Sequence, residues 1–142
     1  MSDGKDPTRD NNDSGEEKGG IMKILVVEDN LMNRQLAGYL LRKAGIETAE
    51  VESGEDALAW LEGQSVDIVL LDIQLPEMDG IEVLRRIRLN ENWRDMTVIA
   101  LTAYSMAGDK ERFEAVGFDG YLAKPIDSKT FVQSILQVNY NH

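Results

Sequence analysis

Five short apolar runs, each parted from the next by a stretch long enough for a helix, constrain this chain more than any other feature. They are KILVV (Lys23 to Val27), ETAEV (Glu47 to Val51), DIVLL (Asp67 to Leu71), TVIAL (Thr97 to Leu101) and GYLA (Gly120 to Ala123). The stretches between them carry a helical period. LMNRQLAGYLLRKAG places Leu36, Tyr39, Leu40 and Lys43 at helical spacings before Gly45 ends the helix. Ala57, Leu58 and Leu61 share one face behind the cap candidate Ser53, and Val83, Leu84 and Ile87 point inward from a helix over Gly80 to Leu89. A fourth helix is expected over Met106 to Ala115, and Asp127 can cap a fifth that turns Phe131, Ile135 and Val138 to the core. Strands that alternate with helices need crossover connections, so the reading is an α/β fold with one doubly wound parallel sheet covered on both faces. ETAEV, the least apolar run, belongs near an edge.

In such a sheet, ligands gather beyond the carboxyl ends of the strands. Strand one ends in Glu28 and Asp29, strand three in Asp72, strand four in Thr102, and Lys124 follows strand five. Singly each is ordinary, because an acid after a strand is more often a turn residue or a helix cap than a ligand. Together they are not. Three carboxylates from two adjacent strands on one rim stand within roughly 5 Å, where each like-charge pair costs about 3 kcal/mol at an effective dielectric of about 20. A cation relieves that repulsion. Carboxylate oxygens without His or Cys select Mg²⁺ or a similar hard ion, with Mn²⁺ a substitute, and Mg²⁺ leaves room for waters and phosphate oxygens. A phosphate held there would also meet Lys124 and Thr102.

Composition closes off most other chemistry. The chain has no cysteine, which removes disulfides, thiolate catalysis and thiolate metal sites. Its one histidine, His142, stands at the last position, so histidine acid/base work has no credible residue. A formal charge of -11 argues against a sequence-general grip on nucleic acid. No apolar run is long enough to span a membrane and no basic-then-apolar leader opens the chain, so the expectation is a cytoplasmic protein without a membrane contact. Residues 1–21 are polar and acidic and are expected to form a disordered tail, leaving 22–142 as one domain. Within the tail DNNDSGEE resembles the start of a calcium loop, but the twelfth position from Asp10 is Ile21 rather than an acid.

The phrases ILVVEDN, LLDIQLPEMDG, IALTA and YLAKPI, in that order, resemble the receiver domain of two-component response regulators. VEDNLMNRQL, DIQLPEMDG and ALTAYSMAGDKERF are most similar to single-domain regulators of the cell-cycle type and to receivers attached to hybrid histidine kinases. The resemblance implies a flavodoxin-like fold with strand order 2-1-3-4-5. It implies that Asp72 accepts a phosphoryl group from a phosphohistidine, that Glu28 and Asp29 hold Mg²⁺ with Asp72 and the backbone carbonyl of Gln74, and that Lys124 contacts the phosphoryl oxygens. Thr102 and the backbone N–H of Ala103 would contact the phosphoryl group. Tyr121 occupies the aromatic switch position, on a readout face built from helix four, strand five and helix five. Gln74 and Tyr104 match variable positions that flank the path of hydrolytic water, so both are expected to set the lifetime of the modified state.

The implied partners are a histidine kinase or histidine phosphotransfer protein and a downstream protein target. The expectation is a chain without an output domain of its own, either a regulator that acts alone or a receiver excised from a larger hybrid protein, with a monomer as the default. Two rivals remain. An aspartate-nucleophile phosphohydrolase wants a second acid two residues after the nucleophile, where this chain has Gln74. An unphosphorylated pseudo-receiver would have no reason to keep an acid cluster that destabilises its own fold. The expectation is therefore a signalling switch that catalyses only its own modification and reversal.

Overall fold

The computed structural model describes residues 21–103 and 108–140. Along the chain run β1 (Lys23–Val27), α1 (Leu31–Lys43), β2 (Glu47–Val51), α2 (Gly54–Leu61), β3 (Ile68–Asp72), α3 (Gly80–Leu89), β4 (Thr97–Thr102), α4 (Asp109–Val116), β5 (Gly120–Ala123) and α5 (Phe131–Tyr140). All four strand pairs are parallel and the order is β2-β1-β3-β4-β5, so the doubly wound, flavodoxin-like sheet is as expected, with ETAEV on its edge. The chain winds outward from β1 to β2 and then crosses back to β3. That reversal opens a crevice above the β1 and β3 ends.

The sheet divides two apolar cores because successive strand residues point to opposite faces. Leu25, Val27, Val69, Leu71, Val98 and Ala100 face α2, α3 and α4, where they meet Ala57, Leu61, Val83, Leu84, Ile87 and Phe113. Ile24, Val26, Ile68, Leu70, Ile99 and Leu101 face α1 and α5, where they meet Ala37, Leu41, Phe131 and Ile135. β3 is buried along its whole length, Asp72 included. An apolar strand buried on both faces thus delivers its terminal carboxylate on a rigid support.

Helix ends follow local chemistry. Asn30, Ser53 and Asp79 each accept a backbone N–H at the start of α1, α2 and α3, and Gly117 ends α4 at φ 116°. Several expectations are corrected. Asp72 and Thr102 are the last residues of their strands, as expected, whereas β1 stops at Val27 and leaves Glu28 and Asp29 just beyond it. Helix four ends at Val116, and its expected start at Met106 lies outside the described residues, as do most of the expected tail and Tyr104. Asp127 caps a separate turn through Lys129 N–H at 2.9 Å, and α5 begins only at Phe131, with Phe131 and Ile135 buried and Val138 partly so.

Helical spacing alone leaves the phase of α1 open. Tyr39 is 60% exposed, and the buried stripe runs through Ala37, Gly38 and Leu41, with Leu40 packed partly buried beside it. Position 38 is glycine because the Glu50 carboxylate of β2 lies against the helix backbone there. A Cβ at position 38 would meet Glu50 Oε2 and, at 2.8 Å, Arg42 Nη1.

Candidate functional site

The β1–β3 register pairs Val27 with Leu71, which sets Glu28 beside Asp72 at the carboxyl rim of the sheet. Glu28 keeps its place by a last ladder bond, its N–H donating to Val51 O at 3.1 Å. On the other side Asp72 pairs with Leu101, so Thr102 stands one step along the same rim. Lys124 returns from the end of β5 through a cis Lys124–Pro125 peptide, its backbone N–H donating to Thr102 O at 2.7 Å.

Asp72 is the centre of this arrangement. Lys124 Nζ donates to its Oδ2 at 2.9 Å, and the Gln74 backbone N–H donates to its Oδ1 at 2.9 Å. Glu28, Asp29 and Asp72 each offer a carboxylate oxygen, and the three oxygens lie within 4.8 Å of one another. Glu28 and Asp72 are buried, whereas Asp29 opens to solvent. Glu28 Oε2 accepts the Asn30 backbone N–H at 2.9 Å. Its Oε1 lies 3.0 Å from Lys124 Nζ in a poorly aligned ion pair, and has no hydrogen-bond partner among the described residues.

Burial decides the electrostatics of Glu28. It pushes the carboxyl up to about 7, the Asn30 N–H and Lys124 pull against that rise, and the Asp72 carboxylate adds to it. Burial also opposes the Lys124 ammonium, but its hydrogen bond to Asp72 and its ion pairs with Asp72 and Glu28 outweigh that penalty and hold its pKa above the ordinary value. The result is a buried site with more negative charge than its own lysine balances. Three hard oxygens, from acids that include Glu28 with its buried Oε1 free of any hydrogen bond, fit a Mg²⁺-sized hard cation, and no His or Cys donor joins them among the described residues.

Residues 24–136 match the response regulator receiver domain family. The chain belongs to that family. A similar protein is the polar-differentiation response regulator DivK of Brucella ovis, 39% identical over 112 residues that cover 79% of this chain and 91% of that one. Among solved structures, the chemotaxis response regulator CheY4 of Vibrio cholerae superposes with a TM-score of 0.79 at 28% identity, covering 84% of this chain and 99% of that one. The signal receiver domain of a signal transduction histidine kinase from Syntrophus aciditrophicus gives a TM-score of 0.74 at 27% identity, over 84% and 91% of the two chains. The chain is therefore a response regulator receiver domain of two-component signalling, similar both to a single-domain regulator and to a kinase-borne receiver. No helix among the described residues is long and apolar enough to cross a membrane.

Of the residues singled out from the sequence, Glu28, Asp29, Asp72, Thr102 and Lys124 share one rim, with Ala103 exposed just beyond it. Tyr121 sits lower on β5, opposite Ala100, half-buried with its ring 5.6 Å from that of Phe113. The Gln74 side chain is exposed, and its contact with Asp72 runs through the backbone N–H, which no side-chain pattern announces. Sequence reading also missed Arg34. Its Nη1 donates to the carbonyl of Glu28 at 2.9 Å and of Asp29 at 3.4 Å. A signal was there, a cation in the first turn of a helix, where the dipole favours acids.

Proposed function

We propose that Asp72 is the phosphoacceptor of this receiver, taking a phosphoryl group from a phosphohistidine of a histidine kinase or histidine phosphotransfer protein. A carboxylate oxygen of Asp72 attacks phosphorus while the phosphorus–nitrogen bond breaks, and the electron pair leaves with the imidazole nitrogen, which ends protonated. The observation that carries the reading is that one buried carboxylate is bonded to a lysine and, within 4.8 Å, belongs to a trio of acids. Mg²⁺, or Mn²⁺ in its place, would be held by Glu28, Asp29, Asp72 and the Gln74 carbonyl and would supply neutralisation of the charge gathering on the phosphoryl oxygens.

This chain's own groups do the rest. Lys124, already 2.9 Å from Asp72, follows the transferred oxygens as a point charge. The Gln74 N–H fixes the second carboxylate oxygen and leaves the first to react. Thr102 and the Ala103 N–H hold the phosphoryl group after transfer. The movement of Thr102 frees space for the Tyr121 ring, and the face formed by α4, β5 and α5 changes for a downstream protein partner. The Gln74 side chain, which cannot act as an acid or base, keeps water from completing hydrolysis and separates this switch from a phosphohydrolase.

Acetyl phosphate with and without Mg²⁺, followed by intact mass, tests the assignment. A phosphoryl-sized adduct that requires Mg²⁺ and is absent from Asp72→Asn is expected. No adduct in the parent would point to an unphosphorylated pseudo-receiver, and steady release of phosphate at high turnover would point to a hydrolase.

A further inference from the structure

We propose that Arg34 is a positioning residue for the metal-binding acids, and that it acts on their backbone rather than on their side chains. The inference rests on the reading of Glu28 and Asp29 as cation ligands and adds the element that aims them.

The turn that carries the two acids has little else to hold it. The β1 ladder ends at the Glu28 N–H, and α1 begins only at Leu31. Between them two successive carbonyls, those of Glu28 and Asp29, turn toward one atom, Arg34 Nη1, at 2.9 and 3.4 Å. Fixing a carbonyl fixes its peptide plane, and two adjacent planes set the direction in which the Asp29 side chain leaves the chain. The Asn30 N–H bond to Glu28 Oε2 closes the same turn from the acid side.

Arg34 stands in the first turn of α1, which holds no acid, although a helix N-terminus disfavours positive charge. A residue that breaks a local preference while its side chain is only 14% exposed needs a compensating role. Its other nitrogens lie 3.9 Å from Glu50 Oε1 and from Glu52 Oε2, so β2 and the residue that follows it offer the guanidinium two counter-charges. Glu50 is itself gripped by Arg42 at 2.8 Å, which keeps it in place beneath Gly38. The path therefore runs from the edge strand through Arg34 to the backbone of both acids.

The sign of the effect separates positioning from plain charge. A cation beside the acids repels Mg²⁺, so deleting Arg34 would tighten binding if charge alone mattered. Loss of a group that orients ligands loosens it, characteristically by about tenfold or more.

Calorimetric titration of the metal-stripped full chain with MgCl₂ reads this directly, beside urea denaturation in chelator. Arg34→Met is expected to bind Mg²⁺ about tenfold more weakly than the parent while still folded in chelator. Arg34→Lys, which keeps a donor for the carbonyls but loses the fork toward Glu50 and Glu52, is expected to fall between them and serves alone if the methionine variant does not fold. Unchanged or tighter binding in both variants overturns the positioning role, as does lost stability with unchanged affinity. A parent that binds no Mg²⁺ overturns instead the metal-site reading beneath it.

Discussion

Replacing Glu28 by Gln tests the central electrostatic claim, that this receiver carries a carboxylate its fold would rather keep protonated. The Glu28 pKa rises from 4.5 to about 7 on folding, with burial as the main cause. A raised pKa means that the folded state binds the proton more tightly than the unfolded chain. The associated stability is complete below the unfolded pKa and is lost as pH climbs through about 7. At roughly 1.4 kcal/mol per unit, the loss amounts to about 3 kcal/mol once Glu28 is fully ionised. Because the side chain is 0% exposed, solvent does not screen this away.

Glutamine is isosteric with the protonated acid, and its carbonyl can still accept the Asn30 N–H that Oε2 now accepts. In chelator, Glu28→Gln is therefore expected to match the parent near pH 4, below the unfolded pKa, and to exceed it by about 3 kcal/mol near pH 8. Urea denaturation followed by far-UV circular dichroism at the two pH values measures this. Titrations remote from Glu28 occur in both proteins and cancel in the difference, whereas Asp72 and Lys124, which interact with it, contribute to the measured gap. Millimolar Mg²⁺ should close the gap at the higher pH, since it stabilises the parent far more than a variant lacking one ligand. A difference between the proteins that did not change with pH would refute the claim that ionised Glu28 is a burden on the apo fold.

Other outcomes follow from the same structure. Arg88→Met should cost about 2–3 kcal/mol in urea denaturation, because it strips partners from the Arg94, Met96 and Gly117 carbonyls and from Asp119 together. Gly80→Ala should cost about 2 kcal/mol and slow adduct formation with acetyl phosphate, since its methyl would strike the Asp72 carbonyl and lie 2.8 Å from Ile73 Cα, both backbone atoms that cannot step aside. Tyr121→Ala should uncouple partner affinity from modification of Asp72. Equal responsiveness of parent and variant in a pull-down titrated with acetyl phosphate would rule out the Tyr121 switch.

The sheet and most of the rim were legible in the sequence for one physical reason. A parallel strand buried on both faces must be apolar throughout, so ILVV, IVLL and VIAL declare themselves, and the polar residue that interrupts each run (Glu28, Asp72 and Thr102) marks the rim. The phase of α1 was not legible. Its buried stripe is made of Ala37, Gly38 and Leu41, with Gly38 leaving the room that Glu50 takes, while Tyr39 and Met32 stand outside. Backbone donors left no trace either. The Gln74 N–H on Asp72 and the carbonyls gripped by Arg34 are properties of turn geometry, to which side-chain spacing is blind.

Arg88 has a meaning beyond its own stability. Its guanidinium joins the end of α3 to the loops that feed β4 and β5, while Asp119, its acidic partner, also accepts the Val98 N–H at 2.8 Å. These bonds lie at the end of the sheet opposite Asp72. Strand spacing is thereby set from the far end, like slats pinned along one edge. A charge added at the free edge cannot be absorbed by letting the strands splay. It has to be answered by loops and side chains, which is where a signal can be read.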